Sequence, residues 1–492
     1  MKRLFWNTIA SSFDTAILLV LSLIVTPVLI KNFGVELFGV FVFLNIFSIY
    51  GALSFFDLGM EGALMTHVAR YEAQNQFDQI AKALNVALVY YGTIGVILSV
   101  CLAASGHVIV ERFHIEDRQH DQIMLSILLV SLNIFFQFIG LPFVAVLQGM
   151  HRFTLTKSIN AGLNIIQYVA LMGVAVIWSR LDIGFLCITA ITAVRTLANL
   201  IIYARGERAQ FVKELDKKIF ADLRRSSNSL FMNRLIGLIY NQVGKFLIWL
   251  RLPIAEMTVF DVVSRPAAMV KVLVGMVYSA VIPEVARLSQ LKDFQSIKLI
   301  YIRLIRYSLL LVLPIIVIIA GHASSILIIW IGPEFGQHGA LVQLLMFAMV
   351  LMPFGSVAST VIVGLGMVGR TIWISLLGTA INVILAFALV DDLGVTGLVL
   401  AILIAELMMA IPYTVVMSKI LAVQKKEILV PHDRIILMSF VMLTLQCCIE
   451  AYVDMTPKFW LLIFSGMILH YAFEVLFFLT PDESLFLKSR FK

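Results

Sequence analysis

The chain has 492 residues, of which 61% are hydrophobic and 14% charged. Soluble domains carry about 25% charged residues, so this composition excludes a soluble globular fold and a disordered chain. The net charge of +7 is dispersed through apolar sequence with no basic patch, which excludes nucleic acid as a partner.

A helix crosses a bilayer with about 20 apolar residues. The chain holds fourteen such stretches: 8–30, 39–58, 83–106, 123–148, 157–178, 183–204, 229–250, 255–283, 307–331, 339–363, 371–390, 394–417, 435–453 and 459–480. The first follows Met1–Lys2–Arg3, a start like that of a signal peptide. Its apolar run is too long and no small-residue cleavage site follows, so it reads as an uncleaved helix. With the N-terminus in the cytoplasm, 26 of the 37 Lys and Arg residues fall on cytoplasmic segments and 6 on the opposite loops. The positive-inside rule then places both termini in the cytoplasm, which an even number of helices requires. Cys101, Cys187, Cys447 and Cys448 all lie in apolar stretches, so neither a disulfide framework nor a zinc site is expected.

An internal repeat is visible at an offset of 217. Ala63, Val68, Ala69, Arg70, Phe77 and Ile80 match Ala280, Val285, Ala286, Arg287, Phe294 and Ile297. At an offset of 218, Leu147, Arg152, Asn164 and Ile166 match Leu365, Arg370, Asn382 and Ile384. Such an offset spans six helices, so the halves run in the same direction through the membrane, a repeat type used by transporters. The expected architecture is an all-α polytopic membrane protein of about 14 transmembrane helices. Residues 1–204 form an N-lobe (helices 1–6) and 229–417 a C-lobe (helices 7–12), with helices 13 and 14 and a cytoplasmic tail in 418–492. Between the lobes, 205–228 carries Phe211, Leu215, Ile219 and Leu223 at every fourth position among basic residues. It reads either as an amphipathic helix on the cytoplasmic face or as a plain charged linker.

Three motifs give the chain a family resemblance. The stretch N-F-G-V-E-L-F-G (Asn32–Gly39) follows a proline-containing first helix. L-Q-G-M-H-R (Leu147–Arg152) precedes the fifth helix, and V-I-P-E-V-A-R-L (Val281–Leu288) ends the eighth. Together they resemble the bacterial polysaccharide flippases of the multidrug/oligosaccharidyl-lipid/polysaccharide exporter superfamily, over roughly residues 1–420. The resemblance implies a bacterial inner-membrane flippase for polyprenyl-diphosphate-linked oligosaccharide, with membrane lipids, a polysaccharide polymerase and chain-length proteins as partners. It implies alternating access around a cavity that holds the headgroup and sugars. Pro27, Pro142, Pro266, Pro314, Pro353 and Pro412 supply flex points.

No G-x-x-x-x-G-K-S/T loop, H-E-x-x-H or Cys/His cluster is present, so neither ATP, a metal nor another cofactor is expected. The outer loops are too short for a catalytic domain, which sets a membrane glycosyltransferase or polymerase behind transport. A multidrug or cation antiporter of the same superfamily is the closer alternative.

Charges within spans cost about 2.5–3.5 kcal/mol each and tend to face a cavity. Asp14, Arg195, Arg234, Lys245, Asp261, Arg265, Lys271 and Glu406 lie within these helices. Five are positive and three negative, a balance suited to an anionic headgroup such as a diphosphate. Lys245, Arg265, Arg195 and Lys271 are the candidate substrate-binding cations. Asp14, Glu406 and Asp261 are candidates for coupling or gating. Asp261 and Arg265 also have the i, i+4 spacing of an intrahelical pair, while Pro266 beside Arg265 suits a contact at a kink. Lys271 lies off the Arg265 face and would snorkel or bind. Arg234 begins its span and should snorkel. Arg195 and Glu406 hold equivalent places in the two lobes, so they either differentiate the lobes or pair locally.

Related flippases often carry Asp-Lys or Asp-Arg where this chain has Gly244–Lys245, which removes the acid from that place. Superfamily members that couple to H+ or Na+ often use a carboxylate in the first helix. That resemblance makes Asp14 the coupling candidate, with a capping role as its alternative.

Overall fold

The structure, a computed structural model, describes residues 2–49, 51–113, 115, 117–206, 210–212, 215–279, 281–424, 427, 436–446 and 466. Every regular element among them is helical. The chain divides into two compact units, Met1–Asp261 and Val262–Lys492.

The first unit contains α1 (Lys2–Phe33), α2 (Val35–Ile46), a 3-10 turn (Ala52–Asp57) and α3 (Met60–Ala73). It continues with α4 (Phe77–Ala104), α5 (Gly106–Arg112), α6 (Asp117–Gly149), α7 (Phe153–Ile177), α8 (Leu181–Ala204) and α9 (Lys217–Arg251). Helix α10 (Ala255–Ser279) leads into the second unit, which holds α11 (Ile282–Gln290), α12 (Phe294–Gly321) and α13 (Ala323–Trp330). A 3-10 turn (Pro333–His338), α14 (Gly339–Gly364) and α15 (Val368–Ile420) follow. Among the described residues, seven helices are long and apolar enough to cross a membrane. The protein is an all-α polytopic membrane protein. The expected helices 13 and 14 fall largely outside the described residues.

Within the first unit, α6 packs against α3, α4 and α8; within the second, α14 packs against α11, α12 and α15. The motif glycines explain how closely these helices approach. A Cβ on Gly149 would stand 2.8 Å from the Met65 carbonyl oxygen and from the Val68 side chain. A Cβ on Gly364 would stand 2.8 Å from Val285 and 3.3 Å from the Ile282 carbonyl oxygen. Met65 and Val68 stand 217 residues before Ile282 and Val285, the offset of the sequence repeat, and the glycines they meet stand 215 apart, so one glycine contact recurs in both units.

Three local outcomes differ from the sequence reading. The expected span 39–58 is not one helix, because α2 stops at Ile46 and helical structure resumes as a 3-10 turn and then α3. The apolar run continues through this break, so hydropathy alone does not reveal it. In the segment read as an amphipathic linker, α9 starts at Lys217 and runs unbroken to Arg251. Asp216 caps it by accepting from the Lys218 N–H at 2.8 Å and the Ile219 N–H at 3.2 Å. Ile219 and Leu223 are buried while Phe211 and Leu215 are exposed, so only half of the apolar stripe is used. Finally, α15 contains two expected spans joined at Gly394, whose φ of 56° and ψ of −135° suit glycine.

Candidate functional site

The broken second span positions the site. Free backbone groups inside a membrane protein must find protein or water partners, and here polar side chains supply them. The Ile49 N–H donates to Gln137 Oε1 at 2.8 Å. Gln137 in turn donates to Asn133 Oδ1, and Asn133 donates to Thr192 Oγ1 at 2.9 Å. The Tyr90 hydroxyl donates to the Phe56 carbonyl at 3.0 Å. A polar chain thus runs from the break through α6 to α8.

Asp57, at the end of the 3-10 turn, is only 3% exposed. Its carboxylate accepts from the Gly59 N–H at 3.2 Å and the Glu61 N–H at 3.0 Å, which starts α3. It also accepts from the Tyr91 hydroxyl and forms an ion pair with the Arg234 guanidinium. A buried carboxylate is tolerable when its oxygens are filled in this way. The sequence reading included Asp57 in a span without singling it out, and it expected Arg234 to snorkel. The structure corrects both: Arg234 is held by Asp57, from 177 residues away in sequence. The usable signal was the acid-Leu-Gly step at 57–59, where Leu58 and Gly59 both adopt positive φ.

Two cavities adjoin this region, and both are lined by Ile49 and Leu141. One, of about 540 Å³, is bordered by Asp57, Glu61 and Arg234 together with Asn241 and Gln242. The other, of about 440 Å³, lies among α1, α2, α6, α7 and α8. Asn45, Asn133, Gln137, Asn160, Asn164 and Gln167 contribute amides to its wall. Its described charged wall residues are Lys157 and Arg195, with no carboxylate among them. Arg195 donates to Asn164 Oδ1 at 2.6 Å and to Gln167 Oε1 at 3.5 Å. Cavities of this size fall in the range that holds small-molecule ligands.

Residues 5–289 match the family model described as polysaccharide biosynthesis protein. The chain belongs to this family. No curated protein matches it in sequence. Among solved structures, this polysaccharide biosynthesis protein is similar to an inward-closed lipid II flippase MurJ, with a TM-score of 0.74 at 16% identity. That likeness covers 99% of this chain and 100% of the other. It is also similar to an inward-facing multidrug resistance MATE family transporter of the MOP superfamily. There the TM-score is 0.67 at 14% identity, over 82% of this chain and 94% of that one. A MOP superfamily transporter from Pyrococcus furiosus, described by a binding pocket of reverse polarity, matches with a TM-score of 0.54. Its identity is 16%, over 84% of this chain and 94% of the other. At these identities the likenesses establish a shared fold.

In this family member the expected site residues are distributed unevenly. Arg195 lines the amide-rich cavity. The Lys245 ammonium stands 3.9 Å from Asp261, so an expected substrate cation faces an expected coupling acid across two helices. Within the second unit, Lys271 pairs with Glu406 at 3.4 Å, which makes a snorkelling Lys271 unnecessary. Arg195 and Glu406 therefore each have a partner within their own unit. Arg265 stands in α10, partly buried, directly before Pro266. Asp14 lies in α1, and its side chain is outside the described residues. Among the described residues, no group of three or more His, Cys, Asp or Glu side chains gathers as a metal site.

Proposed function

We propose that the protein is a flippase that moves polyprenyl-diphosphate-linked oligosaccharide from the cytoplasmic to the outer leaflet of the bacterial inner membrane by alternating access. In this reading it has about 14 transmembrane helices in two six-helix lobes with two more at the end, and both termini are cytoplasmic. The observation that carries the reading is the cavity in the first unit, whose described charged wall residues are Arg195 and Lys157. Fixed positive charge on a cavity wall favours an anionic amphiphile and opposes a cationic drug. Family membership and the full-length fold likeness to a protein named lipid II flippase support the same class. The recurrence of one glycine contact in both units supports the two-lobe repeat.

Lys245, Arg265, Arg195 and Lys271 are proposed to attract the headgroup, and Asp14, Asp261 and Glu406 to respond to it or to a coupling H+ or Na+. Lys245 and Lys271 each exchange an acid partner for the substrate. A polysaccharide polymerase and chain-length proteins are proposed as partners downstream.

The test uses cells whose only copy is the Lys245→Ala/Arg265→Ala variant. Surface glycan should fall while membrane abundance holds, and lipid-linked oligosaccharide should accumulate on the cytoplasmic side. Loss of a charged contact to an anion is worth roughly ten- to a hundredfold in affinity. Normal surface glycan removes these two cations from the site. Normal surface glycan after depletion of the whole protein rejects the flippase reading. Reporter fusions at Lys492 and within 205–228 should read cytoplasmic, and one within 107–122 periplasmic.

A further inference from the structure

The amide-rich cavity of the first unit contains more hydrogen-bonding capacity than the fold uses. Asn160 Oδ1 and Asn199 Oδ1 are both buried from solvent and accept no hydrogen bond within the protein. Both residues line the cavity. Asn199 is 1% exposed, and its amide nitrogen is already committed to the Arg195 carbonyl at 2.9 Å. Buried side-chain acceptors are nearly always satisfied in native proteins, and exceptions call for an unseen partner. Because both residues line the cavity, a guest that satisfies them brings donors to this wall, and the amides turn to meet it since neither oxygen is open to solvent as it stands.

Three classes of guest present themselves. A diphosphate carries acceptors only, so it can engage Arg195 and Lys157 but offers nothing to the two carbonyl oxygens. A bare Na+ suits carbonyl oxygens, but it would share the cavity with two fixed cations and, among the described residues, no carboxylate. Sugar hydroxyls both donate and accept. They can satisfy Asn160 and Asn199 while accepting from other amides of the wall. Phe47 and Tyr168, also on the wall, present flat apolar surface to the C–H face of a sugar ring. Mixed aromatic walls with a few placed polar groups are the usual make-up of a small-molecule site.

We infer that this cavity is a saccharide subsite, in which Asn160 and Asn199 accept hydrogen bonds from sugar hydroxyls of the transported lipid-linked oligosaccharide. Arg195, besides attracting the headgroup, holds Asn164 and Gln167 in fixed orientations and keeps metal cations out. The inference rests on the flippase reading and adds which part of the cargo enters this cavity. The diphosphate meets Arg195 and Lys157 on the same wall and leaves the two asparagines to the sugars.

The test compares two probes on the purified full chain in nanodiscs: undecaprenyl diphosphate, and undecaprenyl-diphosphate-linked oligosaccharides extracted from cells that make the protein. Asn160→Leu/Asn199→Leu removes both acceptors at nearly constant volume. It should weaken the oligosaccharide-bearing lipid by roughly tenfold, since each hydrogen bond contributes a few-fold. Affinity for undecaprenyl diphosphate should be unchanged, which also shows that the variant is folded. If the double variant does not fold, Asn160→Leu alone should weaken the oligosaccharide-bearing lipid a few-fold, and Asn160→Asp, which keeps an acceptor, should not. Equal weakening of both lipids in a folded variant assigns the two asparagines to the diphosphate and overturns the inference. So does a loss of 22Na+ binding in the variant, which would make it a cation site. Unchanged affinity for both lipids overturns it as well. Failure of the wild-type chain to bind either lipid refutes the flippase reading itself, a separate outcome.

Discussion

Helices α6 and α14 are each the element around which their unit packs, and each closes against its neighbours through the same glycine contact. Their buried faces nevertheless differ in chemistry. Helix α6 buries Ser126, Ser131 and Asn133 and presents Gln137 to the break in the second span. Helix α14 buries Leu341, Val342, Leu345, Met346, Ala348, Met349, Val357 and Ala358. Aligned on Gly149 and Gly364, Asn133 corresponds to Ala348. By the repeat offset of 217, Asp57 corresponds to Val274, which is 1% exposed. The comparison separates what the scaffold needs from what function adds. Close glycine packing is common to both units, whereas the polar chain through α6 and α8 starts from residues whose aligned positions on α14, Ala348 and Met352, are apolar.

Exchanging the corresponding residues tests this comparison most severely. Asp57→Val gives the first unit the residue of the second. It deprives Arg234, Tyr91 and two backbone N–H groups of their acceptor, and should cost about 3 kcal/mol, the lower end for a broken buried pair because Arg234 is half exposed. The expected readout is a lowered thermal unfolding midpoint and less folded protein in the membrane. Asp57→Val/Arg234→Met should recover much of the loss. Val274→Asp, the reverse exchange, should be at least as damaging, since nothing at Val274 was selected to fill a carboxylate. Tolerance of both exchanges would mean the two units are chemically interchangeable.

The second test concerns the ion pair inside the second unit. Lys271→Ala leaves Glu406, only 12% exposed, without its lysine. Folded protein should drop by about 1–3 kcal/mol of stability, and Lys271→Met/Glu406→Gln should restore it. Restored stability with lost transport would assign the pair to function, whereas restoration of both would leave it a strut.

The smallest effect is expected where the units agree. Gly149→Ala meets a backbone oxygen and Val68, and Gly364→Ala meets mainly the Val285 side chain. Overpacking by a single methyl group falls at the lower end of its usual range, about 1 kcal/mol. Gly149→Ala should be the costlier of the two, because a backbone oxygen yields less readily than a side chain. Equal midpoints for the two variants would show that the contacts are energetically more alike than their geometry.

These comparisons also mark how far the sequence could be read. Long apolar runs such as Phe77–Ala104 and Leu181–Ala204 specify helices directly, since backbone polar groups in a bilayer must be satisfied within the segment. The repeat at Val68 and Val285 was visible because a glycine elsewhere must match it. The break after Ile46 is hidden because the run stays apolar across it and the acceptor for its Ile49 amide lies on another helix. Asp57 and Arg234 are 177 residues apart, so no local pattern links them. Asn160 and Asn199 resemble ordinary polar residues in any window, and only their shared cavity distinguishes them. Lys271 and Glu406 were both singled out by their cost in a membrane, but no spacing rule could pair residues on separate helices.

The Gln137 contact to the Ile49 N–H has a consequence for biogenesis. The 12 residues of α2 are too few to span a bilayer alone, and the amide at the break finds its side-chain acceptor 88 residues later. During synthesis the second span therefore leaves the ribosome well before α6 exists. Until α6 arrives, Ile49 must be hydrated or held by the insertion machinery. Maturation of the first unit then depends on the arrival of one glutamine, and Gln137→Leu should lengthen the time for which the nascent chain remains crosslinkable to the translocon.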